Sequence, residues 1–550
     1  MKSRLLKGEN KTEKLFLVFG IFFRIIIFII NLIVGGYNCD EVMTSLNAFS
    51  LADKMTDING EKLPAYFDTW VIGGQSPFAT YLTALSVKLF GNNQFAVRFP
   101  ALIFSILGLI AFYLFAKEVF KEKRYILSCV GLAAVSPWMV FSGASMLDCN
   151  YLAHIMVFAL LFLAKGVNSG KTRYYILSSA FFSLCFYCYI ASVLLIPFIL
   201  ISLYFILLIK KKISIKNAAL SVVTVIAVAI PFILWGLVVT GHMKEFTLFG
   251  FNFSKMPDYV RGNDTVFSSG GIDLVINLFM NLVMSFVLLF INDWSVLSLG
   301  SNIFGYGFLL SGLILALGLA KLLFTVLKKD KELKFNAKLF SAGAVIGTVC
   351  FCALVAEPHL GSLYRYGILS YLLVYLEAIG LGEIGRIAKK VDFKKLVCIY
   401  LALEAVMFIG VFAFVYVPQT KTNETLQQEY YGDAFFDCMD FAKENGYDNV
   451  AVCKSNRTLM NTAVYERYYC YGDKEFYKIK DELTLKNTHK NSEGYYLVTK
   501  DSSVTYFKIN EKKELNCDCC IIATQDKNEI KYDKNVYKEK SFGFYSVLYR

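Results

Sequence analysis

Charge is what this sequence is short of: Asp, Glu, Lys and Arg make up 18% of its 550 residues, against 56% hydrophobic and 16% aromatic residues. With a mean hydropathy of +0.50, that shortage excludes an ordinary soluble enzyme and points to an integral membrane protein. Internal repeats and low-complexity segments are missing too, as is any inverted pair of broken helices of the kind transporters carry. No small-residue cleavage site follows the first apolar segment (15–36), which at roughly twenty residues exceeds a signal-peptide core and reads as a retained helix. Histidine is scarce, with 4 in the chain, and His242 and His359 stand apart from one another. Among the 14 cysteines the one cluster is Cys517-Asp518-Cys519-Cys520. It lacks a second C-x-x-C-like element and nearby histidines, which argues against zinc and leaves a disulfide open only if the region lies outside the cell.

What is present is a series of apolar stretches of spanning length: 15–36, 98–116, 125–141, 150–164, 174–190, 192–209, 217–240, 303–327, 339–356, 363–385 and 396–417, about eleven helices in all. The formal charge of +12 comes from Lys and Arg clustered between them, at 2–14, 117–124, 165–173, 210–216, 328–338 and 386–395. Those runs are the positive-inside signal of cytoplasmic loops and not the footprint of a nucleic-acid surface. A segment with cytoplasmic charge on both flanks crosses the membrane an even number of times. Residues 174–209 are therefore a hairpin turning near Ser192, and 217–327 leave 272–291 as a helix at or dipping into the outer surface, with Asn277, Asn281 and Asn292 on it.

The loops that then fall outside are 37–97, 142–150, 241–302 and 357–364, and the chemistry belongs there. An odd number of crossings from a cytoplasmic N-terminus also places the segment after Pro418 outside. This tail of roughly 130 residues is long enough for one domain. It reads as α/β: a helix at 434–445, strands at 449–453, 495–498 and 520–524, and an edge strand at 542–549, with no glycine-rich phosphate loop. The expected architecture is mainly α, a polytopic transmembrane core (1–417, with outer loops 37–97 and 241–302) and an extracytoplasmic α/β domain (418–550).

The acidic pair Asp40-Glu41 stands immediately beyond the first helix, where a carboxylate could serve as a base or a cation site, or could simply be solvated punctuation. Further on come Leu63-Pro64-Ala65-Tyr66-Phe67-Asp68, then Val97-Arg98-Phe99-Pro100 at the entry to the second helix. Ser136-Pro137-Trp138 leads through Ser142 to Asp148 after the third, and Tyr364-Arg365-Tyr366-Gly367-Ile368-Leu369 lies near the tenth. In their order along the chain these stretches resemble the GT-C membrane glycosyltransferases, specifically the branch of protein O-mannosyltransferases and the lipid A aminoarabinose transferase. The resemblance covers roughly the first 420 residues.

The resemblance implies transfer of a sugar from a polyprenyl phosphate, on the outer face of the plasma membrane, to a protein, lipid or wall-polymer acceptor. Asp40 matches the family's first-loop aspartate and is expected to be the base, with inversion at the anomeric carbon; otherwise it caps the helix from residue 42. Glu41 would orient Asp40 or line the acceptor path. Asp148 matches the second-loop acid, which binds acceptor or tunes the base, unless it caps the fourth helix. Asp68 aligns with a position that helps hold a divalent metal ion in some relatives, with His359 as a conceivable partner. Arg365, with Tyr364 beside it, suits the donor phosphate because arginine can fork onto its oxygens. Arg98 is a second phosphate candidate, or it anchors its helix or pairs with Asp40 or Asp148. Trp70 and Trp138 are the candidates for stacking on sugar. The family often has an arginine in the turn before Asp148, where this chain has Gly143-Ala144.

Two rival readings stand beside the enzyme: a polyprenyl-lipid transporter or flippase, and a non-catalytic envelope scaffold. A carrier needs polar groups near mid-membrane, whereas the helix interiors here are nearly free of charge, Glu404 excepted. The sidedness is testable directly. An epitope tag at the C-terminus of intact cells is expected to be reached by a membrane-impermeant reagent, and a tag protected until the cells are lysed would overturn the assignment.

Overall fold

The computed structural model describes residues 11–68, 74–256, 266, 270–290, 309–327, 333–355, 363–387, 392–423, 427, 431–447, 450–454, 464–465, 468–469, 489–490, 496–497, 504–508, 515, 517–529 and 532–550. In lipid a backbone polar group has to be satisfied within its own segment, so the long apolar runs become helices. Among the described residues nine helical runs are long and apolar enough to cross a membrane. They contain α1 (Lys11–Val34), α4 (Gln94–Val119), α7 (Asp148–Ser169), α9 (Ile196–Ile209), α10 (Ile215–Val239), α12 (Leu309–Leu327), α13 (Phe335–Leu354), α15 (Ser370–Ile387) and α16 (Phe393–Val411). The chain is a polytopic membrane protein.

Two expected spans are shorter. The third is broken into α5 (Lys123–Val135) and α6 (Pro137–Phe141) because Pro137 cannot continue the hydrogen-bond ladder of α5. The fifth is α8 (Thr172–Cys188), and a 3-10 turn at Ile190–Leu194 links it to α9, which makes the expected hairpin. The elements that fall in the segments expected outside are α2 (Cys39–Lys54), α3 (Pro77–Phe90), the small hairpin β1 (Phe246–Leu248) and β2 (Phe251–Phe253), and α11 (Gly271–Phe290). Helix α11 turns Ile272, Val275 and Phe279 outward, as a helix at the membrane surface would. Its Asn281 amide donates to the Ala353 and Val355 carbonyls at the C-terminal end of α13, so that asparagine is a helix cap and not merely a polar marker.

Helix α15 is the axis of the bundle, with 94% of its apolar window buried. It packs against α12 at two facing glycines: a Cβ on Gly318 would overlap the Leu376 carbonyl, and one on Gly380 the Ile314 carbonyl. Without a hydrophobic drive between helices in lipid, such backbone approach supplies the packing.

The tail holds α17 (Val417–Thr422), α18 (Asp433–Glu444) and a five-stranded sheet in the order β6-β3-β7-β9-β8. Here β3 is Val450–Lys454, β6 Val504–Lys508, β7 Cys519–Ala523, β8 Lys538–Phe542 and β9 Tyr545–Tyr549, while β4 (His489–Lys490) pairs with β5 (Tyr496–Leu497). The expected edge strand at 542–549 is instead a hairpin. Gly543 turns the chain at φ 56, β9 becomes internal and buried, and the charged β8 takes the exposed edge. Strand β6, which the sequence pattern did not show, lies parallel to β3. Phe435, Phe441, Ile521 and Val547 on one face of this layer are continuous with the core of the helical bundle. Cys517, Cys519 and Cys520 are free thiols.

The glycine contact carries a prediction. Gly380→Val forces α12 from α15, and overpacking of this kind costs about 1–3 kcal/mol; detergent-solubilised protein should therefore unfold at a lower temperature than wild type, while Gly410→Val, where a Cβ meets nothing within 4 Å, should not.

Candidate active site

The acidic pair divides by helix phase. Asn38 caps α2, its side-chain oxygen accepting the Asp40 N–H at 2.9 Å, so Asp40 is not the cap. Its carboxylate is exposed in the first turn, while its carbonyl takes the Thr44 hydroxyl at 2.9 Å and the Gln75 amide at 3.3 Å. The next residue, Glu41, points the other way and is 3% exposed. Each of its oxygens meets the Arg98 guanidinium at 2.6 Å, and Oε1 also accepts the Met146 N–H at 3.1 Å.

Arg98 is 1% exposed. Beyond Glu41 it donates to the Asn31 carbonyl at 2.7 Å and the Gly36 carbonyl at 2.8 Å, and the Gln94 amide oxygen, oriented to accept, lies within 3.0 Å. Its five N–H donors are thereby used. Arg98 is an anchor and is not available to a donor phosphate; the expectation fails because arginine at a helix entry has the same sequence signature in both roles. The expected pairing with Asp40 or Asp148 is replaced by pairing with Glu41.

The turn before α7 is held by the same group of residues. Asn31 donates to the Ala144 carbonyl at 2.7 Å, and Glu41 fixes Met146. A side chain at 143 would meet Ser105 Cβ at 2.7 Å, so an arginine does not fit there; Gly143-Ala144 is a packing requirement of this chain. Asp148 opens α7 without capping it: Leu147 is the cap residue, and Asp148 Oδ2 accepts the Ser76 N–H at 3.3 Å, where α3 begins. The adjacent residues Gln75 and Ser76 bring the two acids to one edge of the core: Ser76 donates to Asp148, and the Gln75 amide to the Asp40 carbonyl.

Arg365 sits in a short helix, α14 (Leu363–Tyr366), at the end of α15. That end is locked by Tyr366, whose hydroxyl meets Ser285 at 2.7 Å, and by Gly367, on which a Cβ would overlap the Trp138 indole. Trp138 is 4% exposed and packs against Phe141. It wedges the break between α5 and α6 and offers no face to a sugar, a correction that the outer-loop position of Ser136-Pro137-Trp138 concealed. Trp70, His359 and the side chain of Tyr364 lie outside the described residues.

Asp68 follows the bridge between Phe67 and Gln75 and acts electrostatically on Asp57. Burial pushes the Asp57 carboxyl up to about 6, partly offset by the Glu61 and Asn59 N–H groups that it accepts at 2.8 Å. No cluster of three metal-ligating side chains occurs among the described residues. Two carboxylates, one of them committed to backbone N–H groups, do not make a site of the usual ligand number.

The helix interiors hold more charge than the sequence suggested. Arg24 is fully buried and donates to Ser105, Gly20, Ala133 and Ala134, capping the carbonyl end of α5 at its break. Glu404 accepts from Tyr400 and Ser311, and Lys321 meets Glu383 at 3.5 Å. Each ties one helix to another element.

Comparison with solved structures places this architecture. ArnT from Cupriavidus metallidurans bound to undecaprenyl phosphate superposes with a TM-score of 0.53 at 12% identity, covering 96% of this chain and 97% of that one. The core has the GT-C fold. The Archaeoglobus fulgidus oligosaccharyltransferase, in complex with Zn and sulfate, matches with a TM-score of 0.50 at 15% identity over 83% of this chain, which spans 61% of its length. Residues 74–235 match the family described as dolichyl-phosphate-mannose-protein mannosyltransferase, in agreement with the branch that the motifs resemble. No curated protein sequence matches the chain. In the GT-C core, α2, α3 and the turn before α7 form a shelf on which Asp40 and Asp148 stand.

Because breaking a buried pair strands a charge, Arg98→Met is expected to lower stability by about 3–5 kcal/mol, whereas replacing both partners, Glu41→Leu with Arg98→Met, recovers much of it. Thermal unfolding of the two variants in detergent checks this.

Proposed function

We propose that the protein transfers a sugar from a polyprenyl-phosphate donor to an acceptor on the outer face of the membrane by a single inverting displacement. The observation that carries this reading is the exposed Asp40 on a rigidly held first turn, linked to Asp148 through the adjacent residues Gln75 and Ser76. The match to the mannosyltransferase family and the undecaprenyl phosphate of the ArnT structure support the donor class.

The donor's lipid lies in the bilayer, so its phosphate and sugar emerge at the level of these loops. An acceptor hydroxyl is a weak nucleophile at neutral pH, and Asp40 would take its proton as the oxygen attacks the anomeric carbon. The bond from that carbon to the phosphate oxygen breaks in the same step, and the polyprenyl phosphate leaves with the electron pair. Arg365, at the end of α15, would receive the charge that grows on the leaving phosphate. Asp148 would orient the acceptor. On this reading the N-terminus is cytoplasmic and the sheet of the tail lies outside, as the flanking Lys and Arg runs imply.

A transporter reading draws on the buried ionisable groups, yet Arg24 caps helix carbonyls and Lys321 meets Glu383, which favours packing over passage.

With radiolabelled polyprenyl-phosphate hexoses and pentoses and a cell-envelope fraction as acceptor, Asp40→Asn is expected to lower kcat by about 100- to 10,000-fold. It keeps the backbone bonds to Asn38, Thr44 and Gln75, so folding is unchanged. Arg365→Ala should weaken both donor binding and turnover. Full transfer by a folded Asp40→Asn protein would remove the base assignment.

A further inference from the structure

The residues leading to Asp40 are held from two sides. On the membrane side Arg98 takes the Gly36 carbonyl at 2.8 Å. On the other, the tail grips the next residue by both backbone groups: the Tyr37 N–H donates to Asp433 Oδ2 at 2.9 Å, and the Tyr37 carbonyl accepts the Gly432 N–H at 3.0 Å. Asn38, the cap that holds the Asp40 N–H, forms a β-bridge with Tyr431. The Tyr37 ring meets Phe436 edge-on at 5.0 Å and Tyr468 at 5.6 Å. Gly36 is required by this approach, since a Cβ there would lie 2.7 Å from Asp433 Oδ2. The gripping segment is itself moored to the membrane core, because the Tyr431 hydroxyl meets that of Tyr416, just beyond α16, at 2.8 Å.

We propose that the tail is a clamp on the acidic loop, and that Asp433 is a positioning residue for the transfer reaction, acting through the Tyr37 peptide on Asp40. The inference rests on the reading of Asp40 as base. Asp433 is half-buried, and the bond through which it reaches the acidic loop is the one to the Tyr37 N–H. A displacement of about 1 Å at a reacting group costs on the order of 100-fold in rate, and loss of the Tyr37 bond releases the cap residue next to the base. The tail thus contributes to turnover although its sheet carries no catalytic motif.

The test compares full-length wild type, Asp433→Ala, Asp433→Asn and Asp40→Asn in two readouts. Hydrogen exchange of the peptide 36–46 reports the clamp without reference to catalysis, and transfer from the radiolabelled donors to the envelope fraction reports the rate. Asp433→Ala is expected to speed exchange at 37–42 about tenfold and to lower kcat about 10- to 100-fold with donor KM nearly unchanged. Asp433→Asn, whose amide oxygen can still accept the Tyr37 N–H, should recover most of both. If Asp433→Ala is not recovered folded, Asp433→Ser, which keeps a favourable helix-start residue but shortens the acceptor, is read in the same way. Unchanged exchange overturns the proposal, and so does faster exchange with wild-type kcat. A fully active Asp40→Asn protein would instead sink the base assignment, and the exchange readout alone then decides whether the clamp exists.

Discussion

The buried pair of Glu41 and Arg98 is the interaction on which the shelf of α2, α3 and the turn before α7 depends. Two charges taken out of water repay their desolvation only with close geometry and with the remaining donors satisfied, and both conditions are met: two contacts of 2.6 Å and carbonyl or amide partners for the other N–H groups. The pair joins the end of α1, the start of α2, the entry of α4 and the turn before α7. Four segments are fixed to one ion pair. Because Glu41 is committed inward, the residue before it on the helix has to face outward, and Asp40 is displayed as a consequence of its neighbour's burial.

Much of the fold was legible because lipid imposes simple rules. The spans, the 174–209 hairpin and the order of α and β in the tail follow from run length, flanking charge and alternation. The hidden features depended on partners far away in the chain. Asp40 and Glu41 are both acids after an apolar run, and only helix phase and Arg98, 57 residues on, separate their roles. Trp138 looked like a loop tryptophan because its wedge against Gly367 is a contact across the bundle. The Asn38 cap did leave a local trace, an asparagine two residues ahead of an acid at a helix start, whereas the grip of Asp433 on Tyr37, 396 residues apart, left none.

The geometry also explains an apparent gap in the motif set. Where the resemblance leads one to expect an arginine before Asp148, this chain packs Gly143 on Ser105 and buries Ala144 under Asn31. On the proposed reading the positive charge toward the donor phosphate falls to Arg365, in the short helix that leads into α15. The polar groups inside the bundle serve the same end: Arg24 caps the broken α5, and the break sets the course of the chain from Trp138 to Asp148.

The central claim is that the bond from the anomeric carbon to the donor phosphate is broken, and one to the acceptor oxygen formed with inversion, at this shelf. It is tested most directly by supplying purified protein in liposomes with polyprenyl-phosphate sugar of known anomeric configuration and an envelope acceptor, and reading the linkage of the product by NMR. The account predicts release of polyprenyl phosphate together with a product of opposite anomeric configuration. Retention of configuration, or donor carried across the bilayer with its sugar still attached, would contradict it.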